Sequence, residues 1–189
     1  MSVQVQRGFT LIELVITLLI AAILVTVGIP SFQSIIRTNL GTAIANEALT
    51  AINYARVEAI KRGLSVSVCS SNNGLSCAGS TDWATGYIVF ADINADGVFT
   101  DDGDANTCET DASNVPTEDC LLRVWDRHKR NNTVTASANS LTYNSAGSTT
   151  PFTITPILPD SECIPGRQQK WTVTVTAVGR ASVSKSDCP

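Results

Sequence analysis

The sequence predicts an α+β fold in which one long N-terminal helix is followed by an antiparallel β-rich head. Three observations carry this prediction. Residues 14–36 hold no charge at all and are dominated by Leu, Ile, Val and Ala. Beyond them Ile36, Leu40, Ile44, Ala48, Ile52, Ala55 and Ala59 recur at three- and four-residue steps, which puts an apolar stripe on one helical face. From about residue 64 the composition turns to Thr, Ser, Val, Asn, Asp and Gly, with apolar and polar residues alternating in short runs.

The first element is the apolar run of MSVQVQRGFTLIELVITLLIAAILVTVGIPSF. Residues 9–30 supply the roughly 20 apolar residues that a membrane-spanning helix requires. Glu13 stands at the head of the run, where a charge costs less than the ~2.5–3.5 kcal/mol it costs at a bilayer centre. The plainest account of it is an interfacial carboxylate on an ordinary anchor. Arg7 and Gly8 precede the apolar run, whereas a secretory signal places its small-residue cleavage site after that run. Cleavage at Gly8 would leave the apolar segment on the mature chain, so the expectation is a retained anchor behind a short polar leader.

The helix continues past this segment. Pro30 removes a backbone donor and is expected to kink it. The stripe then excludes Arg37, Asn46, Glu47, Arg56 and Lys61, and Gly63 after Lys61 and Arg62 is a stop signal. A helix from about residue 9 to residue 62 would be roughly 80 Å long at ~1.5 Å per residue. Its second half is read as packing against the head and carries no chemistry.

The head, residues 64–189, is long enough for one domain and too short for two. Strands are expected in LSVSVC (64–69), GYIVFA (86–91), LLRVW (121–125), FTITPI (152–157) and KWTVTVTAV (170–178), with a hairpin turning near Gly179. Six cysteines behind an anchor point to an oxidising compartment. Six allow about 15 pairings, of which locality favours Cys69 with Cys77, Cys108 with Cys120, and Cys163 with Cys188. No CxxC occurs and His128 is the only histidine, which argues against a zinc site.

Two stretches carry a resemblance. RGFTLIELVITLLIAAI resembles the class III signal of type IV pilins and type II secretion pseudopilins, through Gly8, Phe9, the run Thr10, Leu11, Ile12, Glu13, Leu14, and the later Pro30. The resemblance covers the N-terminal fifth of the chain. It implies a pilin fold, cleavage between Gly8 and Phe9 by a prepilin peptidase, and N-methylation of Phe9. It also implies that Glu13 pairs with the N-terminal amine of a neighbouring subunit. Electrostatics agree, because a carboxylate in an apolar helical bundle requires a positive partner. The pattern W-x-x-G-Y-x-V-F-x-D-x-N-x-D-G, from Trp83 to Gly97, and the following LLRVW resemble minor pilins and pseudopilins of the FimT/FimU/GspH type.

Charge divides the head. Residues 63–120 contain ten acids and no Lys or Arg, whereas residues 121–189 contain eight basic and four acidic residues. This asymmetry marks either distinct partners or mutual neutralisation within one fold. In the acidic part, Asp92, Asn94, Asp96 and Gly97 match the first half of a calcium-binding EF-hand loop, but Gly103 stands where the bidentate Glu belongs. The competing account is a turn built from Asp, Asn and Gly. In the basic part, Arg127, Lys129 and Arg130 flank His128, and Arg180 and Lys185 follow near the C-terminus. Cations on one face would contact DNA phosphates without reading sequence, and Trp125 or Trp171 could stack on unpaired bases. The resemblance to FimT-type pilins implies a Gly-Arg-x-Arg motif for DNA capture; Gly179 and Arg180 fit it, but Ser182 replaces the second arginine. No nucleophile–base pair and no phosphate loop is visible, so catalysis is not expected.

The expectation is therefore a leader in 1–8, an anchor and filament-core helix in 9–36, its amphipathic half in 37–63 and a disulfide-tied head in 64–189. The function expected is that of a minor pilin at or near the tip of a type IV pilus, priming assembly with other minor pilins and the major pilin. It would reside in the inner membrane with its head in the periplasm, and on the surface pilus after assembly. The alternatives are a pilus-borne DNA receptor and the H-type pseudopilin of a type II secretion system.

Overall fold

A computed structural model of the chain describes residues 9–101, 103, 108–126, 133–157, 166 and 170–188. One helix, α1 (Leu11–Arg62), runs for 52 residues. Pro30 does not end it. Its start is fixed by Thr10 and Glu13, as described below. At its end Lys61 and Arg62 lie in the last turn, Gly63 adopts φ 67°, and the Gly63 N–H donates to the Ala59 carbonyl at 3.0 Å. A left-handed residue is needed there, and glycine supplies it without steric cost.

The chain divides into two units, Met1–Asn39 and Leu40–Pro189. In the first, the large apolar residues described, from Phe9 to Ile36, are all at least 40% exposed in the single chain.

Among its described residues, the second unit holds eight strands in two antiparallel sheets, where the sequence suggested one. Sheet A has the order β3 (Cys120–Trp125), β2 (Tyr87–Ala91), β1 (Val66–Ser70), β5 (Ser140–Tyr143). Sheet B has the order β4 (Thr133–Ala136), β6 (Phe152–Ile157), β7 (Lys170–Val175), β8 (Ala181–Ser186). Strands β4 and β5 were not expected. Each is four residues long, too short for alternation to stand out from the surrounding Ser and Thr.

Both sheets contribute to one core against α1. Ile44, Ala45, Ala48, Ala51, Ile52, Ala55 and Ala59 from the helix meet Val66, Val68, Tyr87, Leu141 and Tyr143 from sheet A, and Ile154, Trp171, Val173 and Val175 from sheet B. The predicted stripe is fully buried from Ile44 onward, with Leu40 half-buried against the same core, and is widened by Ala45 and Ala51. Small residues on this face allow close approach: Gly41 is so near the Trp171 indole that any Cβ there would overlap the ring.

A second, smaller core lies on the other face of sheet A. Cys69, Ile88, Phe90 and Phe99 are buried there, with Leu121 and Cys77 packed against them. This explains why β1 and β2 are buried on both faces. The helix covers one side, and the loops after β1 and β2 cover the other.

Candidate functional site

The N-terminal segment is organised by a reciprocal cap. The Thr10 N–H and hydroxyl donate to Glu13 Oε2 at 3.1 and 3.0 Å, and the Glu13 N–H donates to Thr10 Oγ1 at 3.3 Å. This is a capping box, T-x-x-E, which satisfies two otherwise orphaned amides at the helix start. Glu13 thus has a local task that the sequence reading did not assign: it fixes where α1 begins. Phe9, just outside the helix, is 80% exposed. Gly8 lies outside the described residues. Among the described residues no helix is long and apolar enough to cross a membrane, so the membrane expectation for residues 9–36 rests on the apolar sequence, uncharged from residue 14 to residue 36.

The acidic loop after β2 is built around two buried carboxylates. Asp92 is fully buried; its Oδ2 accepts the Ser67 hydroxyl at 2.6 Å and the Gly97 N–H at 2.9 Å, and its Oδ1 accepts the Asp96 N–H at 3.2 Å. Asp119 is 4% exposed and accepts the Ile93 N–H and the Thr100 N–H, each at 2.9 Å. Together they clamp both ends of the loop. Asn94 and Asp96 are engaged with each other and with the backbone, through Asn94 Nδ2 to Asp96 Oδ2 at 2.8 Å and Val98 N–H to Asp96 Oδ1 at 2.8 Å. Among the described residues no group of three or more His, Cys, Asp or Glu side chains is arranged to hold a metal ion. The side-chain oxygens of Asp92, Asn94 and Asp96 accept hydrogen bonds from the loop's own amides and, at Asp92, from the Ser67 hydroxyl of β1. Asp119 carries a strained charge: burial raises its pKa, the two amide bonds oppose this, and the nearby Asp92 and Asp96 add to the rise. No sequence signal singled out Asp119, because its partner loop is 19 and 26 residues away.

The cations proposed for DNA contact are not brought together where they are described. Arg180 lies in the turn before β8 and Lys185 near its far end, about 16 Å apart at ~3.3 Å per residue. The Lys185 ammonium sits 5.7 Å from the centroid of the buried Trp171 ring. Arg127, Lys129 and Arg130 lie outside the described residues. Of the two tryptophans considered for base stacking, Trp171 is 1% and Trp125 is 8% exposed, and both are packed in the core. Arg123, which opens the same basic run in the sequence, lies over Trp125 and Tyr54, with its guanidinium carbon 4.7 and 5.7 Å from their centroids.

Disulfides join Cys69 to Cys77 and Cys108 to Cys120. Cys188 is also disulfide-bonded, and its expected partner Cys163 lies outside the described residues. Arg56, which the sequence reading placed merely off the helix stripe, ties α1 to two turns. Its Nε donates to the Gly147 carbonyl at 3.0 Å and its Nη2 to the Val178 carbonyl at 3.1 Å.

Comparison with known proteins agrees with this architecture. Residues 45–179 match the family described as type II transport protein GspH, and residues 4–29 match the prokaryotic N-terminal methylation motif. No curated protein matches the chain. Among solved structures, a crystal form of the Pseudomonas aeruginosa type IV minor pilin FimU is 18% identical, with a TM-score of 0.51, covering 80% of this chain and 96% of that one. A second crystal form gives 18% and 0.49, over 78% and 99% of the two chains. The minor pseudopilin EpsH from the Type 2 Secretion System of Vibrio cholerae is 15% identical, with a TM-score of 0.44, over 77% and 96%. The likeness at 0.51 is one of fold.

Proposed function

The chain belongs to the family described as type II transport protein GspH, with a prokaryotic methylation motif at its start, and on that premise we propose that it is a minor pilin of a type IV pilus that helps start filament assembly. The observation that carries this reading is the sequence of features in residues 8–36. A processing glycine is followed by Phe9, then by a helix whose first turn presents a carboxylate, then by a run of exposed apolar residues. Such a surface is stable in two settings, a bilayer or a bundle of like helices, and a subunit that passes from one to the other needs both. The prepilin peptidase is the partner for cleavage between Gly8 and Phe9. Other minor pilins and the major pilin are the partners in the filament. On this reading the chain sits in the inner membrane before assembly and in the surface pilus afterwards, and Glu13 sets register against a neighbour's terminal amine.

A second reading is favoured by the name of the matching family: the H-type pseudopilin of a type II secretion system. One experiment separates the two. In cells lacking the chain, surface pili are sheared and the major pilin quantified, and secreted proteins are quantified in parallel. A sharp fall in pili with normal secretion supports the pilus reading. Unchanged pili with lost secretion moves the chain to the secretion system, and no change in either overturns both.

A further inference from the structure

Resting on the reading of this chain as a filament subunit, we propose that the outer edge of β8 is a strand-acceptor site. An extended segment of an adjacent subunit, apolar at alternate positions and carrying carboxylates near its ends, would add to sheet B beside Ala181–Ser186.

The two sheets end in four edges, β3, β5, β4 and β8, and soluble proteins blunt such edges to prevent unwanted pairing. Three of these are blunted. Strand β3 carries a bulge, where its register to β2 shifts so that Leu122 is left over, and its first residue is disulfide-bonded to Cys108. Strand β5 is four residues long, and its Thr142 carbonyl already accepts the Thr149 hydroxyl at 2.7 Å. Strand β4 is covered by residues 81–83, through Trp83 N–H to the Val134 carbonyl at 2.8 Å and Ala136 N–H to the Thr81 carbonyl at 2.9 Å.

Among the described residues, nothing gives strand β8 any of these protections. It pairs with β7 over six residues without a bulge, contains no proline, and has every residue exposed or half-exposed. Among the described residues, no backbone group is hydrogen-bonded along its outer side. The direction of its amides follows from the hairpin. The Thr176 N–H donates to the Arg180 carbonyl at 3.0 Å, so hydrogen-bonded pairs alternate from there to Thr174 with Ser182 and Thr172 with Ser184. The amides and carbonyls of Ala181, Val183 and Lys185 therefore point away from β7.

The side chains define what would fit. Ala181 and Val183 are partly buried against the core and leave apolar surface at the sheet edge, which an apolar residue on the added strand would cover. Ser182, Ser184 and Ser186 occupy the outer face and tolerate small or polar neighbours. Arg180 and Lys185 flank the edge, Lys170 lies opposite Ser186, and no acid occurs between residues 180 and 186. Lys185 does not stand across the edge, because it lies over the Trp171 ring. The added strand should therefore bring the carboxylates.

Val183→Pro tests this, because it deletes an outward N–H and no bond to β7. The full chain carrying it should keep the wild-type thermal midpoint within a few degrees, yet its share in sheared filaments relative to the membrane pool should fall severalfold. Amide exchange supplies a measurement free of substitution. On passing from the detergent-solubilised full chain to filaments, the amides of Ala181, Val183 and Lys185 should slow by about tenfold or more, while those of Ser182 and Ser184 are slow in both. Normal incorporation of a folded Val183→Pro chain, or unslowed outward amides in filaments, would overturn the proposal. Protection that appears in the solubilised chain alone and grows with concentration would also overturn it, by making the occupant a second copy. Absence of the wild-type chain from filaments would instead sink the filament reading.

Discussion

Gly41 shows how far one residue's tertiary contacts can override local preference. Helix propensity alone says that Gly→Ala in a helix interior stabilises by ~1 kcal/mol. Here the new methyl would meet the Trp171 ring, with Cη2 at 2.6 Å, and overpacking of this kind costs ~1–3 kcal/mol. Gly41→Ala is therefore expected to lower the urea midpoint, and a rise would show that the indole can move. Two carboxylates make opposite predictions about pH. Glu58 is 7% exposed and accepts Arg62 Nε at 2.7 Å and Lys61 Nζ at 3.4 Å. The Arg62 hydrogen bond, working against burial, holds its pKa below the ordinary carboxylate range. Its contribution is complete above the unfolded value of ~4.3 and is lost as pH falls through the lowered folded value. Asp119 is raised, chiefly by burial, so its contribution is present at low pH and is lost as pH rises through that raised value. In urea titrations between about pH 3 and 7, Glu58→Gln should flatten the acid side of the stability profile and Asp119→Asn the side above it. Identical profiles for wild type and both variants would refute these assignments.

Among the elements, the loops over the outer face of sheet A depend on a staple. Cys69 lies in β1, and its bond to Cys77 closes the intervening loop and packs Cys77 against the small core of Cys69, Ile88, Phe90 and Phe99. Within that loop Asn73 Oδ1 accepts the Leu75 and Ser76 amides at 2.9 and 3.0 Å, a local turn that cannot hold the small core closed by itself. Replacing both cysteines by serine should cost ~2–4 kcal/mol and expose the loop to proteolysis, while the larger core against α1 persists. Cleavage at the wild-type rate in the variant would mean that the turn suffices. The elements also differ in how visible they were. The strands YIVFA, LLRVW, FTITPI and KWTVTV were readable because each alternates or is apolar over five or six residues. TVTA and SLTY were not, since four residues of Thr, Ser and one or two apolar side chains read equally well as loop. Their place depends on partners far away in sequence: β5 lies against β1 through the pairing of Thr142 with Ser67.

At the scale of the whole molecule, the N-terminal segment and the head carry different tasks. Glu13 is both a cap for its own helix and the residue proposed to meet a neighbour's amine. Glu13→Gln separates the two, because the amide still offers an oxygen to Thr10 but no charge to an amine. The variant should be cleaved after Gly8 and reside in the membrane like wild type, with a severalfold lower share in sheared filaments. Mass spectrometry of the mature N-terminus and the ratio of filament to membrane pools would check this, and normal incorporation would leave Glu13 with the capping role alone. The charge asymmetry of the head takes a specific form. The acids at 92 and 119 are turned inward as loop clamps, while Arg180 and Lys185 lie near the two ends of β8.

What the sequence by itself determined is whatever local order can encode. The uncharged run, the Lys-Arg-Gly stop and the apolar stripe depend on residues within one to four positions of one another, so hydrophobicity and helix-stop geometry are sufficient to read them. The short-range cysteine pairs belong to the same class, being 8 and 12 residues apart. What only the tertiary structure decided is long-range: the division of the head into two sheets, the second core, the burial of Asp92 and Asp119, the Arg56 ties across 91 and 122 residues, and the placement of β8 at one end of sheet B. Each of these follows from which surfaces are brought into contact when α1 and eight strands close on one another. A side chain's burial, charge and free hydrogen bonds are set by that closure, and the same aspartate or edge strand reads identically in sequence whether it faces water or the core.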